Sequence, residues 1–336
     1  MPVQDEFQFI QSIQPTRQFH GELFVGIGDD AAVYTPRKGF QQIVCMDTMV
    51  EGIHFLRKTM RPFDIGYKSV AINISDIAAM GGHPKYYLVS VAIPPDWHEK
   101  ELLEIYEGMN DAAKRFQVDL IGGDTVSIDK RLVVTVTVIG EIEHGKARLR
   151  SDARPGDVVF VTGTLGDSAA GLYLLLNKGN FHLPENDYTY LVSRHQRPVP
   201  QVEAGKLISD LERASLNDVS DGIASELNEI AEMSKLQIII NKDLLPLSDS
   251  IRLMPVEKQY EWALSGGEDF ELVGTTSKNS FEILKEKCEK RGIRLTKIGE
   301  VLEGDPMVYL KEKDKCQRLL KKGYNHFQKG DSFGTF

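Results

Sequence analysis

The chain has 336 residues, 41% hydrophobic and 26% charged, with 40 basic against 49 acidic residues and a formal net charge of -9. That length suits two domains of ordinary size, and the acidity, with no basic run, argues against a nucleic-acid binder. Three widely spaced cysteines, Cys45, Cys288 and Cys316, with no CxxC, argue against a disulfide framework or a structural zinc site and fit a reducing cytoplasm.

Phe7, Ile10 and Ile13 at three-residue spacing predict a short helix over 4–13. The N-terminus is acidic and amphipathic, unlike a signal peptide, and no apolar run approaches the ~18 residues of a membrane span. Gly26 to Asp30 is a glycine-rich acidic loop. Residues 42–47 are a strand-like run that ends in a carboxylate. Tyr67, Val70, Ala71, Ile74 and Ala78 share one face of a helix over 64–80, stopped by Gly81 and Gly82. Ser69, Asn73 and Asp76 lie on its other side. The helix carries so few charges that it is expected to be buried on most sides, where a carboxylate is costly unless a cation or hydrogen bonds meet it. Residues 86–93 predict a strand, 99–116 an amphipathic helix and 131–139 a β-branched strand. The charged, glycine-containing stretch 144–157 is the expected domain junction, giving domains 1–147 and 148–336. Beyond it the pattern predicts strands at 157–162, 236–241, 270–275, 294–301 and 307–310. Helices are expected at 167–177, 200–211, 220–234 and 279–291.

Chemistry is suggested by aspartates beside glycine, each expected at the end of an element. They are Asp30 in GDD, Asp47 in MDTMVEG, Asp76 in NISDIAAMGG and Asp124 in GGDT. Asp218 and Asp221 follow in DVSDG, then Asp269 in SGGED. Carboxylates suit hard cations such as Mg²⁺, which is commonly shared with substrate phosphates. Gly-Asp pairs are also ordinary turn and capping residues, so any single copy has that simpler reading. Asp76, inside a helix, is the least easily explained as a cap. No GxxxxGK[ST] loop and no HRD or DFG signature is present, so the pattern is neither a P-loop enzyme nor a protein kinase.

In order, VGIGDDAAVY, MDTMVEGIHF, SVAINISDIAAMGGHPKYYLVS, IGGDT, DVSDGI, SGGEDFEL and a terminal GYNHF at 323–327 resemble bacterial thiamine-monophosphate kinases. These belong to the superfamily that includes aminoimidazole ribonucleotide synthetase. The resemblance implies an α/β (α+β) fold of two domains. The N-terminal one would form a shared β-barrel in a homodimer, and the C-terminal one an α/β layer that completes the active site. It implies a cytoplasmic enzyme that binds no nucleic acid or membrane. Its substrates would be ATP and thiamine monophosphate, its products thiamine diphosphate and ADP, and its cofactor several Mg²⁺ ions. By motif match Asp30, Asp47, Asp76, Asp124, Asp218 and Asp221 look like metal ligands. Tyr106, Gly123, Asp124, Arg150 and Ser220 look like nucleotide contacts, and His54, Glu268 and Tyr324 like substrate contacts. No general base is implied.

Each of these residues has a plainer reading beside it. His54 fits a core histidine, Tyr106 lies on the apolar face of its helix, and Tyr324 fits C-terminal packing. Arg150 fits a surface cation in a linker, and Arg148 rivals it for the phosphate-contacting register. Met46 stands where many members carry a hydroxyl residue, and a thioether is a poor Mg²⁺ ligand. A selenophosphate synthetase would need a reactive cysteine near the N-terminus, and the first 40 residues hold none. A non-catalytic nucleotide-binding subunit and a metal-dependent phosphatase are the remaining alternatives.

Overall fold

A computed structural model describes residues 6–28, 30–177, 179 and 182–321. Tyr324 and the rest of GYNHF lie outside the described residues. The chain divides into two compact units, one of residues 1–77 and 82–145, the other of residues 78–81 and 146–336.

The first unit opens with helix α1 (Glu6–Ser12) and a small antiparallel ribbon of β1 (Leu23–Val25) and β2 (Val33–Tyr34). Its main sheet has four strands: β3 (Phe40–Val50), β4 (His83–Ile93), β5 (Asp119–Ser127) and β6 (Val133–Glu143). Their order is β3-β6-β4-β5. Period-2 alternation gives this sheet two unlike faces. Val89, Val91, Val134, Val136 and Val138 are buried on one face, while Val44, Met46 and Thr48 are exposed on the other.

Helix α2 (Pro62–Ala79) lies against the buried face. Ile77 would collide with any side chain at Gly140, and Cys45 Sγ donates to Asn73 O at 3.2 Å. Pro62 suits the first helical position because its missing N–H would have no partner there. As the sequence implies, α2 is buried on most sides, with Ile65, Ser69, Asn73 and Ile74 at or near zero exposure. Helix α3 (Glu99–Phe116) crosses it closely. A Cβ on Gly66 would sit 1.8 Å from Ile105 O, and one on Gly108 1.9 Å from Phe63 O, so this crossing admits only glycine.

The second unit is built on a seven-stranded sheet in the order β13-β12-β9-β11-β7-β10-β8. The strands are β7 (Val158–Thr162), β8 (Ser215–Asp218), β9 (Gln237–Asn241), β10 (Leu272–Thr276), β11 (Leu295–Leu302), β12 (Val308–Glu312) and β13 (Lys315–Leu319). Around it lie α4 (Asp167–Leu176), α5 (Glu185–Gln196), α6 (Val202–Ser209), α7 (Ile223–Ser234), α8 (Val256–Ser265) and α9 (Lys278–Glu289). Val159, Val161, Ile223, Leu227, Ile238 and Val273 form its core with Trp262. Among the described residues no helix is long and apolar enough to cross a membrane.

Several elements depart from the sequence expectation. Asp47 and Asp124 lie within β3 and β5 rather than at element ends, and β5 itself was not expected. Its Gly122-Gly123 pair reads as a breaker, yet Gly123 is required because a Cβ there would meet Val89 O at 2.0 Å across the ladder. Helix α7 begins at Ile223, after a turn through Gly222 at φ +99°. Helices α5 and α8 were also missed: each buries only two or three side chains, so the apolar periodicity is faint.

Candidate active site

Cys45 and Asp47, two residues apart on β3, point to the buried face of the first sheet, and α2, which carries Asp76, meets that face where Cys45 Sγ donates to Asn73 O. Burial pushes the thiol's pKa up, and the negative charges of Asp76 and Asp47 push it further. Burial also raises the Asp47 carboxyl. β3 and α2 therefore bring two acidic groups to one partly buried seam without making them equivalent. Oxygen donors of this kind match Mg²⁺, which typically takes one or two carboxylates and completes its shell with water and phosphate oxygens. Among the described residues no group of three or more His, Cys, Asp or Glu side chains is gathered as a metal cage.

His54 lies in the turn that follows β3. Its Nδ1 accepts from Val50 N at 3.0 Å, so the neutral ring carries its proton on Nε2. Glu51 braces this turn, accepting from Trp97 Nε1 at 2.9 Å, Leu132 N at 3.1 Å and Arg57 Nε at 3.2 Å. Burial alone would raise the Glu51 carboxyl, but these donors outweigh it and hold it below its ordinary range. The sequence reading missed Glu51, although its place inside VEGIHF was a signal. Asp30 is exposed in the turn between β1 and β2. Tyr106 is buried against Phe9, ring centroids 5.8 Å apart, which agrees with the packing reading.

Asp124 is not brought to this seam within one chain. Its row across the sheet is Asp124, Ser90, Thr135 and Thr48, whereas Asp47 shares a row with Val136, Val89 and Gly123. Adjacent rows point to opposite faces. β3 and β5 are also the two edges, roughly 14 Å apart at three spacings of about 4.8 Å. Asp47 and Asp124 of one chain therefore face away from each other across the full width of the sheet.

In the second unit, β8 ends at Asp218, buried at 4% exposure, and Ser220 and Asp221 form the turn into α7. Glu226 on α7 holds this turn. It accepts from Asp221 N at 3.1 Å and Ser220 Oγ at 3.4 Å, and from Asn217 Nδ2. Burial pushes the Glu226 carboxyl up to about 9, with the charges of Asp218 and Glu229 adding to the rise. Arg150 donates to Asn217 Oδ1 at 3.0 Å and pairs with Glu229 at 3.3 Å, beside the same turn. Arg148 instead is buried, donating to Ser209 O at 2.6 Å and to Leu211 O. That structural role removes Arg148 as a rival for a ligand contact. Glu268 lies next to Ser220, donating through its N–H to Ser220 O at 2.7 Å. Asp269 is fully buried and caps α4, accepting from Gly166 N at 2.6 Å and Ser168 N at 3.1 Å.

Comparison with known proteins agrees with this two-unit layout. The family model for the AIR synthase related protein N-terminal domain matches residues 28–142, and that for the C-terminal domain matches residues 154–311. The chain is 55% identical to the thiamine-monophosphate kinase of Bacillus subtilis (strain 168) over 326 residues, covering 96% of this chain and 100% of the relative. A crystal structure of the thiamine-monophosphate kinase from Stenotrophomonas maltophilia K279a superposes with a TM-score of 0.81 at 34% identity, over 90% of this chain and 95% of that one. A structure of AaThiL complexed with AMPPCP and TMP superposes with a TM-score of 0.73 at 32% identity, over 88% and 92% of the two chains. The chain belongs to the thiamine-monophosphate kinase family, built from the two AIR synthase related domains.

Proposed function

We propose that this enzyme, a thiamine-phosphate kinase, moves the γ-phosphoryl group of ATP directly onto the phosphate of thiamine monophosphate by an in-line, multi-Mg²⁺ displacement. The observation that carries the reading is the seam where Asp47 and Asp76 flank Cys45, oxygen donors matched to Mg²⁺ in a family with a member complexed with AMPPCP and TMP.

The attacking phosphate oxygen needs no general base, because a second phosphate pKa of about 6 leaves it largely ionised at pH 7. The obstacle is repulsion between two anions, roughly 4 kcal/mol for unit charges ~4 Å apart at an effective dielectric near 20. Mg²⁺ would supply the neutralising charge. Asp30, Asp47, Asp76, Asp124, Asp218 and Asp221 are the residues that would hold it. His54 presents Nε2–H to the acceptor phosphate. Arg150 offers its guanidinium to ATP, with Gly123 and Ser220 as further nucleotide contacts and Tyr106, packed on Phe9, presenting only its ring edge or hydroxyl. Glu268 meets the positively charged thiazolium end of the substrate, and Tyr324 is assigned to substrate by its motif alone.

We further propose a homodimer. Two four-stranded sheets closing into a barrel would remove both unpaired edges, β3 and β5. Exposed apolar side chains on both edge strands support this reading, since Val44 and Met46 on β3 are each 64% exposed and Val126 on β5 45%. In such a barrel β5 of one copy would lie beside β3 of the other, which removes the width that separates Asp124 from Asp47 within one chain. An ADP-release assay with ATP and Mg²⁺, with and without thiamine monophosphate, tests the activity. ADP should form in proportion to thiamine diphosphate and only with the acceptor. Phosphate release without acceptor, or a phosphorylated enzyme that chases into product, contradicts direct transfer.

A further inference from the structure

Glu268 is held in a backbone conformation that a residue with a Cβ disfavours. Its φ is +68°, and that of Phe270 is +52°. Such strain persists where the surroundings over-determine it, commonly at ligand sites. Here Glu268 N–H donates to Ser220 O at 2.7 Å and Phe270 N–H to Val219 O at 2.9 Å. Arg194 Nη2 donates to Asp269 O at 3.1 Å, and the Asp269 carboxylate is fixed at the start of α4.

These contacts fix the backbone, and His195 reaches the side chain. The His195 Nδ1 lies 3.2 Å from Glu268 Oε2 and 3.3 Å from Ser168 Oγ. The imidazole is buried at 2% exposure, while the Glu268 side chain keeps 32%. A buried donor thus stands behind a carboxylate that still reaches solvent. A carboxylate tied to a fixed donor loses rotational freedom while its solvent-exposed part can still meet a ligand.

We infer that His195 is a positioning residue that acts through Glu268, its Nδ1–H aiming the carboxylate at the cationic ring portion of thiamine monophosphate. The inference rests on the substrate contact proposed for Glu268. Ordering this carboxylate in advance lowers the entropy cost of binding and bears on the acceptor rather than on ATP. His195 was invisible as a site residue in the sequence because it lies on α5, a polar helix without a recognised motif.

The test uses the full-length enzyme and steady-state kinetics for both substrates. Glu268→Ala should raise KM for thiamine monophosphate about tenfold or more, the scale of one charge-assisted contact. His195→Phe keeps ring volume without the donor and should raise the same KM about fivefold to tenfold. KM for ATP should change less than about twofold. His195→Asn places an amide N–H near the Nδ1 position and should restore the wild-type value, whereas His195→Gln, with its donor one carbon further out, should not. If His195→Phe does not fold, the contrast between Asn and Gln decides the matter. Equal changes in the two KM values, no difference between Asn and Gln, or full additivity of His195→Gln with Glu268→Ala overturns the inference. A Glu268→Ala enzyme with unchanged KM for thiamine monophosphate overturns the Glu268 assignment itself, and the inference falls with it.

Discussion

In the second unit the acidic turn at 217–221 is braced by its own chain, whereas in the first unit the carboxylates are spread over a sheet. Glu226 ties Asn217, Ser220 and Asp221 to α7, and the strained Glu268 backbone is tied to Ser220. The first unit brings Asp47 and Asp76 together around a thiol, leaves Asp30 on an exposed turn and sets Asp124 on the opposite edge and face of the sheet. Bracing by hydrogen bonds makes a site whose shape is set before ligand binds. Dispersed carboxylates leave the shape of the proposed metal site to the cations that would bind there. Substitutions in the two units are therefore expected to fail in different ways.

The largest effect is expected in the dispersed unit. Asp47→Asn keeps the side-chain shape and removes the charge proposed to hold Mg²⁺, so kcat should fall by at least ~10²-fold, about 2.7 kcal/mol. Near-normal turnover at saturating Mg²⁺ would remove Asp47 from metal binding. In the braced unit, Glu226→Ala frees the 217–221 turn, and KM for ATP should rise about tenfold, about 1.4 kcal/mol. A fall in kcat at constant KM would mean that Glu226 acts on the chemistry rather than on nucleotide binding.

The remaining effect is on stability. Burial pushes the Asp269 carboxyl up to about 8, with Asp167 adding to the rise, while Arg194 and the Gly166 and Ser168 N–H groups hold it back. Between about pH 4 and pH 8 the folded protein then keeps a proton that the unfolded chain, with an aspartate pKa near 3.9, has released. Stability from this group is present at low pH and lost as pH rises toward 8. The urea midpoint of the wild type should fall from pH 5 to pH 8, and that of Asp269→Asn should fall less. Parallel slopes for the two proteins would contradict a proton on Asp269 in that range.

The strongly periodic elements were legible in the sequence. α3 is present over the expected 99–116, and the apolar, nearly uncharged 64–80 became the buried α2. The motif aspartates were legible as residues but their arrangement was not. Whether Asp124 points up or down depends on strand register, and register depends on pairing with Ser90 and Thr135 far away in the chain. The bracing residues Glu51, Glu226 and His195 were missed because each works through contacts with partners that no spacing rule connects. Arg148 and Arg150, two residues apart, were inseparable until one proved to be a buried clasp and the other a half-exposed cation beside Asn217.

Subunit complementation tests most directly the proposal that two copies share a metal site. Asp47→Asn and Asp124→Asn chains, each inactive alone, are co-expressed with different tags, and the mixed dimer is purified by both. If Asp47 of one copy works with Asp124 of the other, one of the two sites carries both substitutions and the other carries neither. The mixed dimer should then show about half the wild-type turnover per dimer. A mixed dimer as inactive as its parents would contradict the shared site and return both aspartates to a single chain.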